Sequence, residues 1–319
     1  QSPFHVPEKI VSALKLNAHQ KDYLPSKGLL ELRKSIAGFL TKKGYHNLSH
    51  ENIIIGPGSK ELMFLLQVAF DGEVVLPVPS WVSYAPQAII AKNKFHWVQT
   101  EKKTNWHISP EHIDKVASQI ESKNKLIILN SPNNPSGTNI HLLKELGEVF
   151  TKHNFTVLSD EIYSELYFKD NYKSISHFHE NTIVSSSLSK WAGAGGWRVG
   201  YFAVPNNLIE IFEKLAVLGT ETFSAVSAPT QFAAITAYEE DFTEYLTKSK
   251  KILHVIAHYV YEQLSQLDID MIEPEGGFYL MPDFTRMLSK QFKSSKDFCK
   301  TLLDENGVAV LPGSDFGFP

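Results

Sequence analysis

The sequence predicts an α/β protein whose main body is a mostly parallel seven-stranded sheet with helices on both faces. A smaller α+β domain is expected to follow it. Short apolar runs alternate with helical patterns between about residues 29 and 203, as in parallel sheets that are covered on both sides. Beyond Pro205 the pattern changes to long helical stretches that are followed by short apolar pieces.

The elements follow from the spacing of apolar residues and from turn signals. Strands are predicted at 53–55, 73–76, 95–98, 126–129, 155–158, 182–184 and 198–203. Helices are predicted between them at about 29–40, 59–70, 80–91, 110–120 and 141–153. Pro77 and Pro79 end the second strand, and Pro110 suits a first helical turn.

The region after the sheet is expected to contain helices at about 206–217, 229–266 and 294–305. Strand-like pieces are expected at 271–272, 278–280 and 308–310. The chain therefore divides into three parts. A segment 1–20 is expected to pack on the small domain, a large ligand-binding domain spans 21–240, and a small, apparently incomplete α+β domain spans 241–319.

Composition excludes several classes of function. The chain has 319 residues, 43% of them hydrophobic, and a net charge of −4, which does not favour nucleic acid or an anionic membrane. Its apolar runs are too short to cross a bilayer, and the N-terminus lacks a leader pattern. A single cysteine, Cys299, allows neither an intrachain disulfide nor a cysteine-based metal site. We therefore expect a cytoplasmic protein without a metal.

Polar and aromatic residues follow the predicted strands, where open α/β sheets bind their ligands. Gly58, Ser59 and Lys60 begin a helix after the first strand. Free backbone N–H groups and the helix dipole favour a phosphate there, although helix capping by Ser59 explains the same motif. Trp81 follows the second strand and is suited either to stacking on a flat ring or to core packing.

Two further strand ends carry hydrogen-bonding groups. Asn134 lies in an Asn-Pro-Ser-Gly segment, which is typical of a turn but also offers an amide to a ligand. Asp160 ends a buried strand, where a carboxylate needs a cationic partner or serves as a helix N-cap. Tyr163 would share a face with Asp160 on a helical turn.

Lys190 follows the hydroxyl residues Ser187 and Ser189 and precedes a glycine-rich turn and Arg198. A packed setting can desolvate this amine and make it a nucleophile toward carbonyls, whereas the alternative is a surface lysine. With the acid, the phenol, the amide and the stacking ring, these residues describe a phosphorylated, aromatic, nitrogen-containing aldehyde. Pyridoxal 5′-phosphate (PLP) meets every requirement.

The order of these motifs resembles the fold-type I, PLP-dependent aminotransferases of class I/II, which are similar to aspartate aminotransferase. The pattern S-x-x-S-K … G-W-R-x-G-Y at 186–201 carries the resemblance, together with N-P-x-G at 134–137 and D-E-x-Y at 160–163. It extends from about Tyr23 to Gly317. The resemblance implies an enzyme of amino-acid metabolism that moves an amino group from an L-amino acid to a 2-oxo acid by a ping-pong Schiff-base mechanism.

The resemblance also implies a role for each residue. Lys190 is the Schiff-base lysine and the base that moves the α-proton, and Asp160 is the partner of the pyridine nitrogen. Trp81 stacks on the ring, and Asn134 and Tyr163 contact its O3′ oxygen. The phosphate-binding positions are Gly58, Ser59, Ser187, Ser189 and Arg198. Tyr23, in K-D-Y-L-P-x-x-G, resembles the tyrosine that reaches the phosphate of the neighbouring subunit, which implies a homodimer with shared active sites.

The substrate is predicted only as an aspartate-type or aromatic-type donor. In some prokaryotic aspartate aminotransferases a lysine at about the position of Lys60 contacts the distal carboxylate of the substrate. A solvated helix lysine explains Lys60 equally well. The residues that could line an aromatic pocket are Trp81, Tyr84, Phe223 and Phe278.

Two departures and two alternatives accompany the resemblance. Family members have a strand and a glycine-containing loop before the region that matches Phe4, where this chain begins. The family's carboxylate-binding arginine lies beyond the segment 313–317, where this chain ends, and the spacing of Arg286 does not support that role. A C–S β-lyase or cyclase of the same fold and a PLP-sensing regulatory domain remain alternatives.

Overall fold

The computed structural model describes residues 2–267, 269–288 and 292–318. Its sheet runs in the order β1-β7-β6-β5-β4-β2-β3. The strands are β1 (Ile53–Gly56), β2 (Glu73–Val78), β3 (Phe95–Gln99), β4 (Lys125–Asn130), β5 (Phe155–Asp160), β6 (Thr182–Ser187) and β7 (Gly200–Ala203). The sheet is parallel except that β7 runs antiparallel to β1 and β6, which confirms the predicted mostly parallel, seven-stranded sheet.

Eleven helices are described. They are α1 (Glu8–Asn17), α2 (Leu30–Lys42), α3 (Ser59–Ala69), α4 (Tyr84–Ile90), α5 (Pro110–Ala117), α6 (Leu143–Lys152), α7 (Ile209–Thr222), α8 (Ala228–Glu239), α9 (Thr243–Ser265), α10 (Thr285–Leu288) and α11 (Ser295–Asn306). None of those in the described ranges combines the length and apolarity needed to span a bilayer.

The strands are apolar on both faces because both faces are buried. Alternate residues of β4 illustrate this: Leu126 and Ile128 join a cluster with α3 and α7, whereas Ile127 and Leu129 join one with α5 and α6. Around β1 and β7 the second face is covered by α2 and α8. The period of two along each strand therefore sends successive side chains into different cores.

The long helix predicted at 229–266 is wrong, because the chain forms two helices there. Glu240 has an extended conformation, with φ −81° and ψ 159°, which ends α8. The Asp241 carboxylate then accepts a hydrogen bond at 2.8 Å from the backbone N–H of Thr243, the first residue of α9.

The strand-like pieces predicted at 271–272, 278–280 and 308–310 are also wrong. Within the described part of the chain this region has only two isolated bridges, Tyr167 with Gly276 and Asp270 with Asp283. Val308 and Val310 are exposed and lie beside no described strand. An apolar run forms a strand only where a neighbouring strand accepts its backbone hydrogen bonds.

Two boundaries differ in a way that affects the candidate site. The last strand begins at Gly200, and Arg198 precedes it in the left-handed conformation with φ 55°. The helix expected from about 80 begins only at Tyr84, so Trp81 lies in the loop before it.

The N-terminal segment makes its main contact with α8, within the predicted large domain, where α1 packs on it. Small residues of α8, such as Ala234 and Ala237, are buried and allow a close approach. The residues before α1 reach α9, where the Tyr245 hydroxyl donates to the His5 carbonyl at 3.1 Å. The packing of the segment 1–20 on a small domain stays a prediction.

Gly200→Ala is predicted to destabilise the protein, because a Cβ at this position would lie 2.3 Å from the Ser59 backbone nitrogen. The beginning of α3 would have to move, at a cost of about 1–3 kcal/mol, which urea unfolding measures. Gly38→Ala is the matched control, since Gly38 is exposed in α2 and a Cβ there meets nothing within 4 Å. It should stabilise by about 0.5–1 kcal/mol, and equal effects of the two variants would contradict the prediction.

Candidate active site

A cavity of about 530 Å³ lies at the carboxyl edge of β4, β5 and β6. The start of β7 reaches the same edge because this strand runs in the opposite direction. Ten of the twelve residues predicted for the site line this cavity: Ser59, Lys60, Trp81, Asn134, Asp160, Tyr163, Ser187, Ser189, Lys190 and Arg198.

The other two predicted residues lie outside the lining. Gly58 lies directly under Arg198, and a Cβ on it would be 2.0 Å from the Nη2 atom of that guanidinium. Its φ of 83° also favours glycine. Tyr23 is 92% exposed and does not reach the cavity of its own chain.

One end of the cavity is suited to an anion. The α3 helix begins at Ser59 and directs its first backbone N–H groups there. The Ser187 hydroxyl accepts a hydrogen bond from the Ser189 backbone N–H at 3.0 Å. Arg198 spans the turn, donating to the Pro57 carbonyl at 3.1 Å and to the Gly195 carbonyl at 2.8 Å. Guanidinium, hydroxyl and backbone donors together favour a phosphate.

Asp160 lies at the end of β5 and is 4% exposed. Its Oδ2 atom accepts a hydrogen bond from the Tyr84 hydroxyl at 2.6 Å, whereas its buried Oδ1 atom has no partner among the described residues. Burial raises the pKa of this carboxyl to about 6, although the hydrogen bonds from Tyr84 and from the Ile162 backbone and the charge of Lys190 oppose the shift. An unpaired carboxylate oxygen beside a cavity suits a cationic N–H donor.

Lys190 is half-buried, and its Nζ atom lies 5.7 Å from the ring centroid of Tyr163 and 5.8 Å from that of Phe278. Burial lowers the pKa of this amine, with a further lowering by Arg198, while Asp160 acts in the opposite direction. A larger fraction of the amine is therefore uncharged and nucleophilic than in an exposed lysine.

Tyr163 is buried, and its hydroxyl donates to the Tyr279 hydroxyl at 3.0 Å. Burial and then Tyr279 raise the pKa of Tyr163, whereas a hydrogen bond with the Asn134 side chain lowers it. The phenol therefore remains protonated and can donate. The backbone of Asn134 is held in turn by Asn130, whose Oδ1 atom accepts from the Asn134 N–H at 2.7 Å.

The aromatic residues proposed for a substrate pocket have different positions. Trp81 lines the cavity, with its ring edge-to-face against Tyr84. Tyr84 itself is fully buried as the partner of Asp160, so its expected role as a pocket wall is wrong. Neither Phe223 nor Phe278 is among the residues that line the cavity. Phe223 packs between the hydrophobic cores, whereas the Phe278 ring lies near Lys190.

Sequence reasoning missed several residues of the site. Asn130 lines the cavity, and its place directly after the predicted strand 126–129 was the available signal. Tyr84 was considered only as a pocket wall, and its hydrogen bond to Asp160 was missed. Tyr279 and Ser2 also line the cavity but are distant in sequence from the strand ends. No local pattern marks such residues, because only the tertiary fold brings them to the sheet.

The cavity fits PLP on observations that are independent of one another. Gly58 leaves room for the Arg198 guanidinium at the phosphate-suited end of the cavity. Asp160 has an oxygen available for a pyridine N–H, and Lys190 offers a half-buried amine. The fold and this site together define a PLP-dependent enzyme of the α/β type.

Comparison with known proteins identifies the family within this class. The model of the family described as aminotransferase class I and II matches residues 1–319, and the chain belongs to this family. The aspartate aminotransferase of Bacillus subtilis is 33% identical over 330 residues, which cover 99% of this chain and 82% of that protein. Because members of the family depend on PLP, the chain is a PLP-dependent aminotransferase.

Solved structures agree in fold. The aspartate aminotransferase of Thermotoga maritima has a TM-score of 0.88 at 29% identity, covering 100% of this chain and 83% of that chain. The aromatic aminotransferase of Pyrococcus horikoshii has a TM-score of 0.90 at 28% identity, covering 100% and 86%. The backbone is therefore shared with enzymes named for two different donor types.

Asp160→Asn is predicted to stabilise the protein without cofactor at alkaline pH. Because the folded carboxyl has a pKa of about 6 instead of 3.8, its ionisation opposes folding as the pH rises through this range. The variant should gain about 1–3 kcal/mol at pH 8 and nothing below about pH 4, as measured by urea unfolding.

Tyr84→Phe is the comparison, because it removes the donor to the carboxylate and keeps the charge. It should lose stability at pH 8. A gain for Asp160→Asn that is the same at both pH values would contradict the electrostatic cause.

Proposed function

We propose that this aminotransferase takes its amino group from an L-amino acid with an acidic or aromatic side chain and transfers it to a 2-oxo acid. The observation that carries the proposal is that one cavity contains both a half-buried amine, that of Lys190, and a carboxylate oxygen without a hydrogen-bond partner, the Oδ1 atom of Asp160. The names of its relatives support both donor types.

We assign the groups that hold the cofactor as follows. Ser59, Ser187, Ser189 and Arg198 would bind the phosphate together with the backbone at Gly58, and Trp81 would stack on the ring. Asp160 would hold the pyridine nitrogen in its protonated form, and Tyr84 keeps the carboxylate in place for that bond. When bound, PLP supplies an aldehyde for amines and an electron-withdrawing ring.

Lys190 has two tasks in this proposal. Its amine would hold the cofactor through the aldehyde group, since burial keeps part of the amine uncharged. The same Nζ atom would serve as the base that removes the proton from the substrate α-carbon. Tyr163 and Asn134 would donate hydrogen bonds to the O3′ oxygen and thereby stabilise its negative charge.

The proposed donor preference rests on Lys60 and on aromatic rings in and beside the cavity. Lys60 is exposed at the rim, with its Nζ atom 5.3 Å from the Trp81 ring centroid. An ammonium there would attract the distal carboxylate of an acidic donor. The rings of Trp81, Phe278 and Tyr279 would instead favour an aromatic side chain.

We also propose a homodimer with shared active sites, in the cytoplasm. Tyr23 supports the dimer, because an aromatic residue that is 92% exposed on its own chain is available to a second copy. The single cysteine and the slightly acidic composition are consistent with the cytoplasm.

Absorbance spectra with a panel of amino acids test the proposed function. With PLP the protein should show a visible band that aspartate or an aromatic amino acid bleaches. Lys190→Ala should lose both the band and at least about 10³-fold in activity, because the other lysine that lines the cavity, Lys60, lies over the Trp81 ring at the rim. Lys60→Ala is the informative second variant. It should lower the activity with aspartate and leave the activity with an aromatic donor unchanged.

Three results would contradict the proposal. An unchanged band in Lys190→Ala would exclude this lysine as the attachment site. Release of pyruvate and ammonia without a keto acceptor would indicate a lyase. A panel in which neither acidic nor aromatic amino acids bleach the band would exclude the assigned donor class.

Mixed dimers test the role of Tyr23. Subunits with Lys190→Ala and subunits with Tyr23→Ala should be nearly inactive alone at limiting PLP. Co-refolded, they should recover about one quarter of the wild-type activity, because half of the dimers are mixed and each of these has one complete site.

The matched control mixes Lys190→Ala with Arg198→Ala, two residues that line one cavity in the same chain. This pair should recover no activity. Equal recovery in both mixtures, or light scattering from a stable monomer that still transaminates, would contradict the shared site.

A further inference from the structure

Tyr279 contacts the phenol that faces the cofactor position. Its hydroxyl oxygen lies 3.0 Å from that of Tyr163, and the two rings meet edge-to-face with centroids 5.6 Å apart. Tyr279 also lines the cavity, although it lies 116 residues further along the chain. None of the roles assigned above uses its hydroxyl.

The loop that carries Tyr279 is fixed to the large domain by its backbone. The Gly137 carbonyl accepts hydrogen bonds from the N–H groups of Glu275 at 2.8 Å and Gly276 at 3.1 Å. The Gly277 N–H donates to the Leu166 carbonyl at 3.1 Å, three residues beyond Tyr163. The backbone before Tyr279 is therefore held in place before any ligand binds, and the edge-to-face contact with Tyr163 orients its ring.

Close contacts leave this loop little freedom. A Cβ on Gly276 would lie 2.7 Å from the Pro132 side chain, and Gly277 has a φ of +72°. A Cβ on Gly137 would lie 2.6 Å from the carbonyl oxygen of Tyr279 itself. The loop and the Asn-Pro-Ser-Gly turn thus fit together only because these positions are glycines.

The direction of the hydrogen bond between the two phenols can reverse. A hydroxyl both donates and accepts, and Tyr163 donates to Tyr279 in the structure. When Tyr163 turns its proton toward a ligand, its oxygen is left to accept, and Tyr279 is the donor within reach. Donation into Tyr163 strengthens the bond that Tyr163 makes, because chained hydrogen bonds polarise one another.

We infer that Tyr279 is a positioning residue that donates to Tyr163 and so strengthens the hydrogen bond from Tyr163 to the O3′ oxygen of the cofactor. The inference rests on the role proposed above for Tyr163. The other titratable groups around this phenol are Asp160 and Lys190, which face the cavity, and Tyr84, which lies behind Asp160.

The test is the pH at which the visible band of the PLP-loaded enzyme titrates. A donor to O3′ stabilises its deprotonated form, so a weaker donor raises the pH midpoint. Tyr279→Phe, which removes only the hydroxyl, should raise the midpoint by about 0.5 unit. Tyr163→Phe should raise it further.

The double variant shows whether Tyr279 acts through Tyr163. In the Tyr163→Phe background, Tyr279→Phe should no longer move the midpoint, since the oxygen that accepts its proton is gone. Tyr167→Phe is the matched control, because Tyr167 bridges to Gly276 but makes no contact with Tyr163 that involves its hydroxyl. Its midpoint should equal that of the wild type.

Several results would overturn the inference. The inference would be excluded, and the role of Tyr163 would stand, if Tyr279→Phe left the midpoint unmoved. The same holds if Tyr279→Phe shifted the midpoint equally in the wild-type and Tyr163→Phe backgrounds. A higher KM for the donor with an unmoved midpoint would assign Tyr279 to substrate binding instead. An unmoved midpoint in Tyr163→Phe would overturn both the inference and the proposed role of Tyr163, and a remaining visible band would still support the cofactor.

Discussion

The site depends on a carboxylate that is buried with one oxygen left unpaired. Removing such a group from water costs free energy, and the fold offsets only part of this cost through Tyr84 and the charge of Lys190. The remaining cost is relieved when a cationic N–H donor reaches the Oδ1 atom of Asp160. Burial also lowers the pKa of Lys190, so partial removal from water prepares both the acid and the amine.

Asn130 connects the two strand ends that carry this chemistry. Its Oδ1 atom accepts from the Asn134 N–H at 2.7 Å, and its Nδ2 atom donates to the Asp160 carbonyl at 2.9 Å. Because β4 and β5 are parallel and in register at this pair, one side chain sets the spacing between the amide turn and the acid. Such hydrogen bonds between fixed backbone segments hold a site in place before its ligand arrives.

The sequence predicts the sheet and the cofactor side of the site because both follow local rules. Ligands bind at strand ends, so Asp160, Asn134 and Lys190 are found by locating the strands. The reversal of β7 is not a local property, although it explains why Arg198 reaches the same edge from the beginning of a strand. Tyr84 and Tyr279 were missed as hydrogen-bond partners because their partners are fixed by tertiary packing. The predictions of three strand-like pieces near the C-terminus were wrong for the same reason, since an apolar run alone does not supply a neighbouring strand.

The attachment of the loop at 275–277 to Gly137 and Leu166 restricts how such an enzyme can diversify. Phe278 and Tyr279 directly follow this loop, and Tyr279 lines the cavity. The backbone of the loop is hydrogen-bonded to the turn that carries Asn134 and to the segment after Tyr163. A substitution that changes the cavity through this loop therefore also disturbs Asn134 and Tyr163. New donor specificities would be gained with less disturbance of these two residues at Lys60, whose side chain is exposed at the rim of the cavity.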